Sequence, residues 1–259
     1  MMPRRDFLSA APLLMAGAPQ AAGSAGPSAY ELRLIEMRNS SDDELRHTQE
    51  FLGSALAPAF RSAGATTVSA FRVSIGPGSP TAVLLSEYPS FGALAGAAQK
   101  LEGDASYRAA YEKYVSSTGR VYERESVWLL EGFPGFPSLK APKRLENGSH
   151  ILELRRYESP NMLTLERKIR MFDTAEAGIF ERLGMQPVFF GRMVAGDRMP
   201  NLMYMLTFEN LAARERLWRA FGSDPEWKKL SARPELHDSE IVSNISNWIL
   251  DPMPFSDVR

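Results

Sequence analysis

The chain has no cysteine among its 259 residues. Disulfides, thiolate zinc sites, iron–sulfur clusters and cysteine nucleophiles are therefore excluded. Histidine is scarce, with only His47, His150 and His237. None has a second ligand at close metal-type spacing, so no metal site is expected and each histidine reads as a surface or structural residue. There is no run of about 18 or more apolar residues, so no membrane-spanning helix is expected. Charge of one sign is also lacking: 30 basic residues face 31 acidic ones, for a net charge of −1. Nucleic acid is not an expected partner, because a phosphate backbone needs clustered Lys and Arg. No Gly-rich phosphate loop follows a strand, no Ser–His–Asp pattern is discernible, and no cofactor is expected. What is there is an ordinary globular composition, 44% hydrophobic, in a chain long enough for one large core or two smaller ones.

The first residues read as a separate object. Arg4-Arg5 is followed by an apolar run, Phe7 to Ala18, and then by small residues from Gln20 to Ser28. These are the three regions of a secretory signal. Arg4-Arg5-Asp6-Phe7-Leu8 resembles a twin-arginine export signal. Residues 1–28 are thus expected to be a signal peptide with a flexible leader, and the mature protein to be periplasmic or secreted. An Ala-rich tail and a mitochondrial presequence are the competing readings.

The remainder repeats itself. Phe60 aligns with Phe180, Gly64 with Gly184, Arg72 with Arg192, Gly76 with Gly196, Asp104 with Asp224 and Trp128 with Trp248, all at one offset. Glu31-Leu32-Arg33 recurs as Glu153-Leu154-Arg155, two residues further along. A repeat of this length has the size of a small domain, not of a solenoid unit. Each copy reads strand, helix, two hairpin strands, a broken helix and a closing strand, the ferredoxin-like order. In the first copy, Ser41-Asp42-Asp43-Glu44 reads as a capping box and Pro58 as a helix kink. In the second, Asp224-Pro225 caps the restart of the broken helix, and the closing strand is expected over about Glu240 to Leu250. The predicted units are 29–132 and 149–254, joined by a Pro/Gly-rich linker over 133–148.

Tyr30-Glu31-Leu32-Arg33, Leu152-Glu153-Leu154-Arg155-Arg156-Tyr157, Asp224-Pro225-Glu226-Trp227 and Trp248-Ile249-Leu250-x-Pro252 together resemble the NIPSNAP family. That family is a branch of the dimeric α+β barrel superfamily. The resemblance spans about residues 29 to 254. It is stronger in the second half, because the first has Ala105-Ser106-Tyr107 in place of Pro-Glu-Trp. It implies an α+β fold: tandem ferredoxin-like (βαββαβ) domains packed sheet to sheet as an intrachain dimeric α+β barrel. It implies no particular reaction. Relatives in the superfamily include cofactor-free monooxygenases and haem enzymes such as chlorite dismutases and dye-decolourising peroxidases.

Strand alternation supplies candidate residues. Tyr30, Leu32 and Leu34 share one face, expected to meet the helices. Glu31, Arg33 and Ile35 share the other, expected to be covered by the partner half. Leu152 and Leu154 likewise oppose Glu153, Arg155 and Tyr157. Arg72 and Arg192 hold equivalent hairpin positions. The candidate ligand-binding set is Glu31, Arg33, Arg72, Glu153, Arg155, Tyr157 and Arg192. Buried charges need pairing, water or a ligand. Four guanidiniums against two carboxylates favour an acidic or enolisable ligand. The competing reading is of rim salt bridges that fix the register between the halves. Met203 and Met205, alternating with Leu202, Tyr204 and Leu206, suggest a strand buried on both faces, and Trp128 and Trp248 read as packing anchors.

The function expected is that of an exported protein binding a small acidic or aromatic ligand between its halves. Catalysis without a cofactor is one form of this, with Arg33 or Arg155 stabilising an anion and Glu31 or Glu153 moving a proton. A non-enzymatic interaction module using the outer helices is the alternative. A haem enzyme, with His237 as proximal ligand by analogy, is the second alternative. A small molecule is the expected partner, and self-association into a homo-oligomer is left open.

Overall fold

A computed structural model describes residues 26–117, 120–146 and 148–259. The export signal read from Arg4-Arg5 and the apolar run lies outside the described residues. The first half runs β1 (Ala29–Glu36), α1 (Glu44–Phe51), a π-helical turn (Leu52–Leu56), α2 (Ala57–Ala63), β2 (Thr67–Ile75), β3 (Thr81–Tyr88), α3 (Phe91–Gly103), α4 (Ala105–Val115) and β4 (Arg124–Gly132). The second runs β5 (Ile151–Glu158), α5 (Met162–Met171), a π-helical turn (Phe172–Glu176), α6 (Ala177–Arg182), β6 (Gln186–Ala195) and β7 (Asn201–Phe208). It ends with α7 (Leu211–Ser223), α8 (Pro225–Ser231), the short α9 (Asp238–Ile241) and β8 (Asn244–Pro252).

The strands close into one antiparallel barrel in the order β1-β3-β2-β8-β5-β7-β6-β4. Each half contributes a four-stranded ferredoxin-like sheet. The two sheets face each other, and their edges pair as β2–β8 and β4–β6. Closure removes the bare edges that two separate sheets would present. Both seams carry a register irregularity, between Val73 and Ile75 and between Leu129 and Leu130. Gly76 and Gly196, each at φ 155, sit at equivalent places beside the seams. A Cβ on Gly76 would lie 2.8 Å from the Trp248 ring, so only glycine admits the indole there.

Three apolar layers result. The barrel lumen is filled by Tyr30, Leu32, Phe71, Leu85, Leu154, Phe189, Met203 and Met205, among others from both halves. Outside the first sheet, Leu52, Leu56, Phe60 and Tyr114 pack the helices onto Ile35, Ala70 and Leu84. Outside the second, Leu165, Phe172, Phe180 and Phe221 do the same against Tyr157, Phe190 and Tyr204. The strand Asn201–Phe208 is buried on both faces, as its alternation indicated, with methionines inward and Tyr204 outward. Trp128 and Trp248 are buried neighbours in the lumen, with ring centroids 6.0 Å apart. The segment after β4 is packed rather than loose: Phe133 and Phe136 are buried against Phe190.

Three local expectations are corrected. The capping box at Ser41 does not form: Asp43 precedes α1 at φ 51 with no side-chain cap. The Glu44 carboxylate is drawn instead to Arg38, at 2.7 Å. Asp238–Ile241 is a short helix rather than the start of the last strand, because His237 accepts a hydrogen bond from the Ser239 amide at its N-cap. Pro58 follows a π-helical turn, but the equivalent turn Phe172–Glu176 has Gly178 at the matching position. The wide turn therefore belongs to both halves and does not come from proline. By contrast, Asp224 caps α8 as expected, accepting from the Glu226 and Trp227 amides at 3.0 and 3.1 Å.

Candidate functional site

The polar face of each opening strand points the opposite way from the sequence expectation. Tyr30, Leu32, Leu152 and Leu154 line the lumen, while Glu31, Arg33, Glu153, Arg155 and Tyr157 lie between sheet and helices. The lumen receives apolar side chains from eight strands. The helix layer of the second half supplies Glu153 with polar partners, Arg214 and Trp218. The seven candidates fall into two clusters and two separate seam residues instead of one cavity between the halves.

In the first half, Arg33 lies at the floor of a cleft of about 270 Å³ between β1 and the helices. Its other walls include Phe51, Tyr107, Tyr111, Tyr114, Tyr122 and Glu125. Helix α4 presents Tyr107, Tyr111 and Tyr114 at helical i, i+4, i+7 spacing, one stripe on one face. Phe51 stacks on Tyr114, with centroids 4.4 Å apart and planes 3° from parallel. The Tyr111 and Tyr122 hydroxyls meet at 3.1 Å, and Tyr114 shares a hydrogen bond with Thr48 at 2.9 Å. Burial pushes the Tyr114 hydroxyl up to about 12 and raises Tyr107. The hydrogen bond with Tyr111, reinforced by burial, raises Tyr122 as well. Tyr107, Tyr114 and Tyr122 are therefore neutral donors at neutral pH, not bases.

Arg33 donates to Glu31 and, at 3.0 Å, to Glu125. Burial pulls its pKa down, but the two carboxylates more than restore it, so the guanidinium stays charged. With two carboxylates already set against its single charge, Arg33 adds little net attraction for an incoming acid. Arg108 and Glu112 also line the cleft and balance each other in charge.

In the second half the equivalent space is closed by a buried polar network. Glu153 accepts from Arg155 at 2.8 Å, from Arg214 Nε at 2.9 Å and from the Trp218 indole at 2.7 Å. Arg155 lies 4.4 Å over the Trp218 ring and donates to the Tyr157 hydroxyl at 3.1 Å. Tyr204 donates to the same hydroxyl at 2.9 Å. Deeper still, Lys168 pairs with Glu176 at 3.0 Å, both almost wholly buried. Burial raises the Glu176 pKa against the pull of Lys168. The first half has Thr48 and Leu56 at the matching helix positions, which is why its floor carries no such network.

Arg72 and Arg192 join neither group. Arg72 pairs with Asp251 across the β2–β8 seam, and Arg192 with Glu131 across β4–β6 at 2.7 Å. Asp251 and Glu131 are equivalent residues of the repeat, so one ion pair is used twice to fix register. Among the described residues, no cluster of three or more His, Asp or Glu is arranged to hold a metal ion. No helix among them is long and apolar enough to cross a membrane.

Residues 152–257 match the NIPSNAP family model. The second half is thus similar to NIPSNAP domains. The polar network lies in the half that matches the family model, and the cleft in the other half. Among curated proteins, none matches the sequence. Solved structures share the whole architecture. A candidate monooxygenase from Lactobacillus acidophilus superposes with a TM-score of 0.57 at 12% identity, covering 87% of this chain and 94% of that one. A second candidate monooxygenase, from Fusobacterium nucleatum, gives 0.57 at 5% identity over 89% and 94%. An anthrone oxidase-like protein gives 0.51 at 7% identity over 87% and 91%. At these identities the likeness concerns the fold: a NIPSNAP-like half and its partner make the dimeric α+β barrel within one chain.

Sequence reasoning missed the tyrosines of α4, although their spacing was readable. It also missed Lys168, Glu176, Arg214 and Trp218. Lys168 and Glu176 share the buried side of their helix with Leu165, Met171 and Phe172, a signal that polar groups lie in this layer.

Proposed function

We propose that the chain binds a small, flat, hydroxylated aromatic molecule in the tyrosine-lined cleft of its first half. The observation that carries this is the lining: five aromatic rings surround a cleft whose arginine is already matched by two carboxylates. Stacking on Tyr107, Tyr111 and Phe51 suits a planar ring. The Glu125 carboxylate is partly open and accepts a ligand hydroxyl, while the neutral phenols donate to ligand oxygens. The aromatic side of the sequence expectation is favoured over the acidic side, because the charge of Arg33 is already matched by Glu31 and Glu125. One structural neighbour is named for anthrone oxidase, and anthrones are flat aromatic ketones of the same ligand class.

Saturation-transfer NMR with naphthol as probe tests the reading. Binding to the full chain is expected, and Tyr111→Ala is expected to weaken it about tenfold, the order set by loss of one aromatic contact. Unchanged binding in Tyr111→Ala and Tyr107→Ala would remove the cleft as the site.

A further inference from the structure

We infer that the second half carries a separate binding site for a small carboxylate-bearing molecule, between the linker and the start of α7. The starting point is a difference between the copies. In the first half, Glu87 near the end of β3 is buried, and its carboxylate is fully claimed. It accepts from Thr66 Oγ1 at 3.1 Å, from Thr67 Oγ1 at 2.9 Å and from the Leu139 amide of the linker at 2.8 Å. The repeat offset puts Thr207 at the Glu87 position, so the second half has no carboxylate of its own there.

A cavity of about 360 Å³ opens at that place, lined by Thr207, His150, Lys143, Arg144, Arg216 and Glu209, with small and apolar residues between them. Three cations stand against one carboxylate. None of Lys143, Arg144 and Arg216 forms an ion pair among the described residues. The His150 side chain is only 2% exposed, and its Nδ1 finds no hydrogen-bond partner. A buried polar atom left unpartnered is costly and points to a missing partner. The same wall holds the first turn of α7, a 13-residue helix whose amide end favours negative charge. In the first half Ser28 and Gly96 stand where His150 and Arg216 stand in the second. The copy without an internal carboxylate is thus the copy with His150 and Arg216 at its rim, beside Lys143 and Arg144 of the linker. An external carboxylate would take the place that Glu87 fills in the other half.

The test uses the three histidine ring signals of the full chain, with succinate as probe at fixed ionic strength. Succinate is expected to move the His150 signal and leave His47 and His237 in place. Arg216→Gly, which restores the residue of the first copy, is expected to weaken the effect at least about fivefold, as loss of a charge-assisted contact would. Thr207→Glu, which supplies the internal carboxylate, is expected to abolish it. Should Thr207→Glu not fold, Arg216→Gly still decides. Equal movement of all three histidines, or a response unaltered by Arg216→Gly, would overturn the site. A response to inorganic phosphate but not to succinate would overturn the assignment of a carboxylate.

Discussion

At the scale of single residues, the account rests on how buried charges are matched. Lys168 and Glu176 are paired under the helices of the second half, far from bulk water. Lys168→Met leaves Glu176 a buried carboxylate without its counterion, and urea unfolding is expected to show a loss of about 3–5 kcal/mol. Adding Glu176→Leu should return most of that loss, because replacing both charges removes the unmatched one. A double variant as unstable as the single one would refute the pairing. Glu153 carries more partners than Arg155, so Glu153→Leu, which strands two guanidiniums and an indole, should cost more than Arg155→Leu, after which Arg214 and Trp218 still satisfy the carboxylate. Tyrosine protons give a pH test. Burial pushes Tyr88 and Tyr114 up to about 12 from an unfolded value of 10.0. The folded state then holds these protons more tightly, so their contribution is full below pH 10 and is lost as pH rises through about 12. Tyrosinate absorbance during an alkaline titration should lag for these residues and rise together with unfolding.

At the scale of elements, the order of strands and helices was readable, and the layer that each strand face meets was not. Hydrophobic alternation, the Gly76-to-Pro80 turn and the Asp104 and Asp224 caps located strands and helices because each is a local, backbone-level constraint. Alternation does not say which face of a strand meets the lumen when both faces are buried, as along β7. The face of β1 bearing Glu31 and Arg33 was therefore assigned to the wrong layer. The helices held the missing information: Arg214 and Trp218 of α7 are the partners that Glu153 meets beneath the helix layer. Two element-level outcomes follow. Asn161 caps α5 in a reciprocal box with Thr164, so Asn161→Ala should cost about 1 kcal/mol by urea unfolding. The seam pairs are exposed, so Arg72→Ala or Arg192→Ala should each cost no more than about 1 kcal/mol, the ladder hydrogen bonds carrying the seams.

At the scale of the whole molecule, the two repeated halves differ in what their helix layers hold. The NIPSNAP-like half has its helix layer closed by a polar network and a cationic recess at its rim. The other half lacks that network and has an aromatic cleft in its helix layer. The family resemblance was legible in short motifs because they build the shared fold. The cleft was not, because it arises from what the first half lacks at Thr48 and Leu56. Export remains a proposal from Arg4-Arg5 and the apolar run after them. Mass spectrometry of the protein from its native cell is expected to find a start between about Gln20 and Ala29, and a chain retaining Met1 would refute it. The central claim is that the ligand site lies beneath the helices of the first half and not inside the barrel. A crystal structure of the full chain soaked with naphthol tests it most directly. The account predicts a flat ring beside Phe51, Tyr107 and Tyr111, with Arg33 still paired to Glu31 and Glu125. A ring in the lumen against Tyr30 and Met205, or beneath α7 beside Trp218, would contradict it.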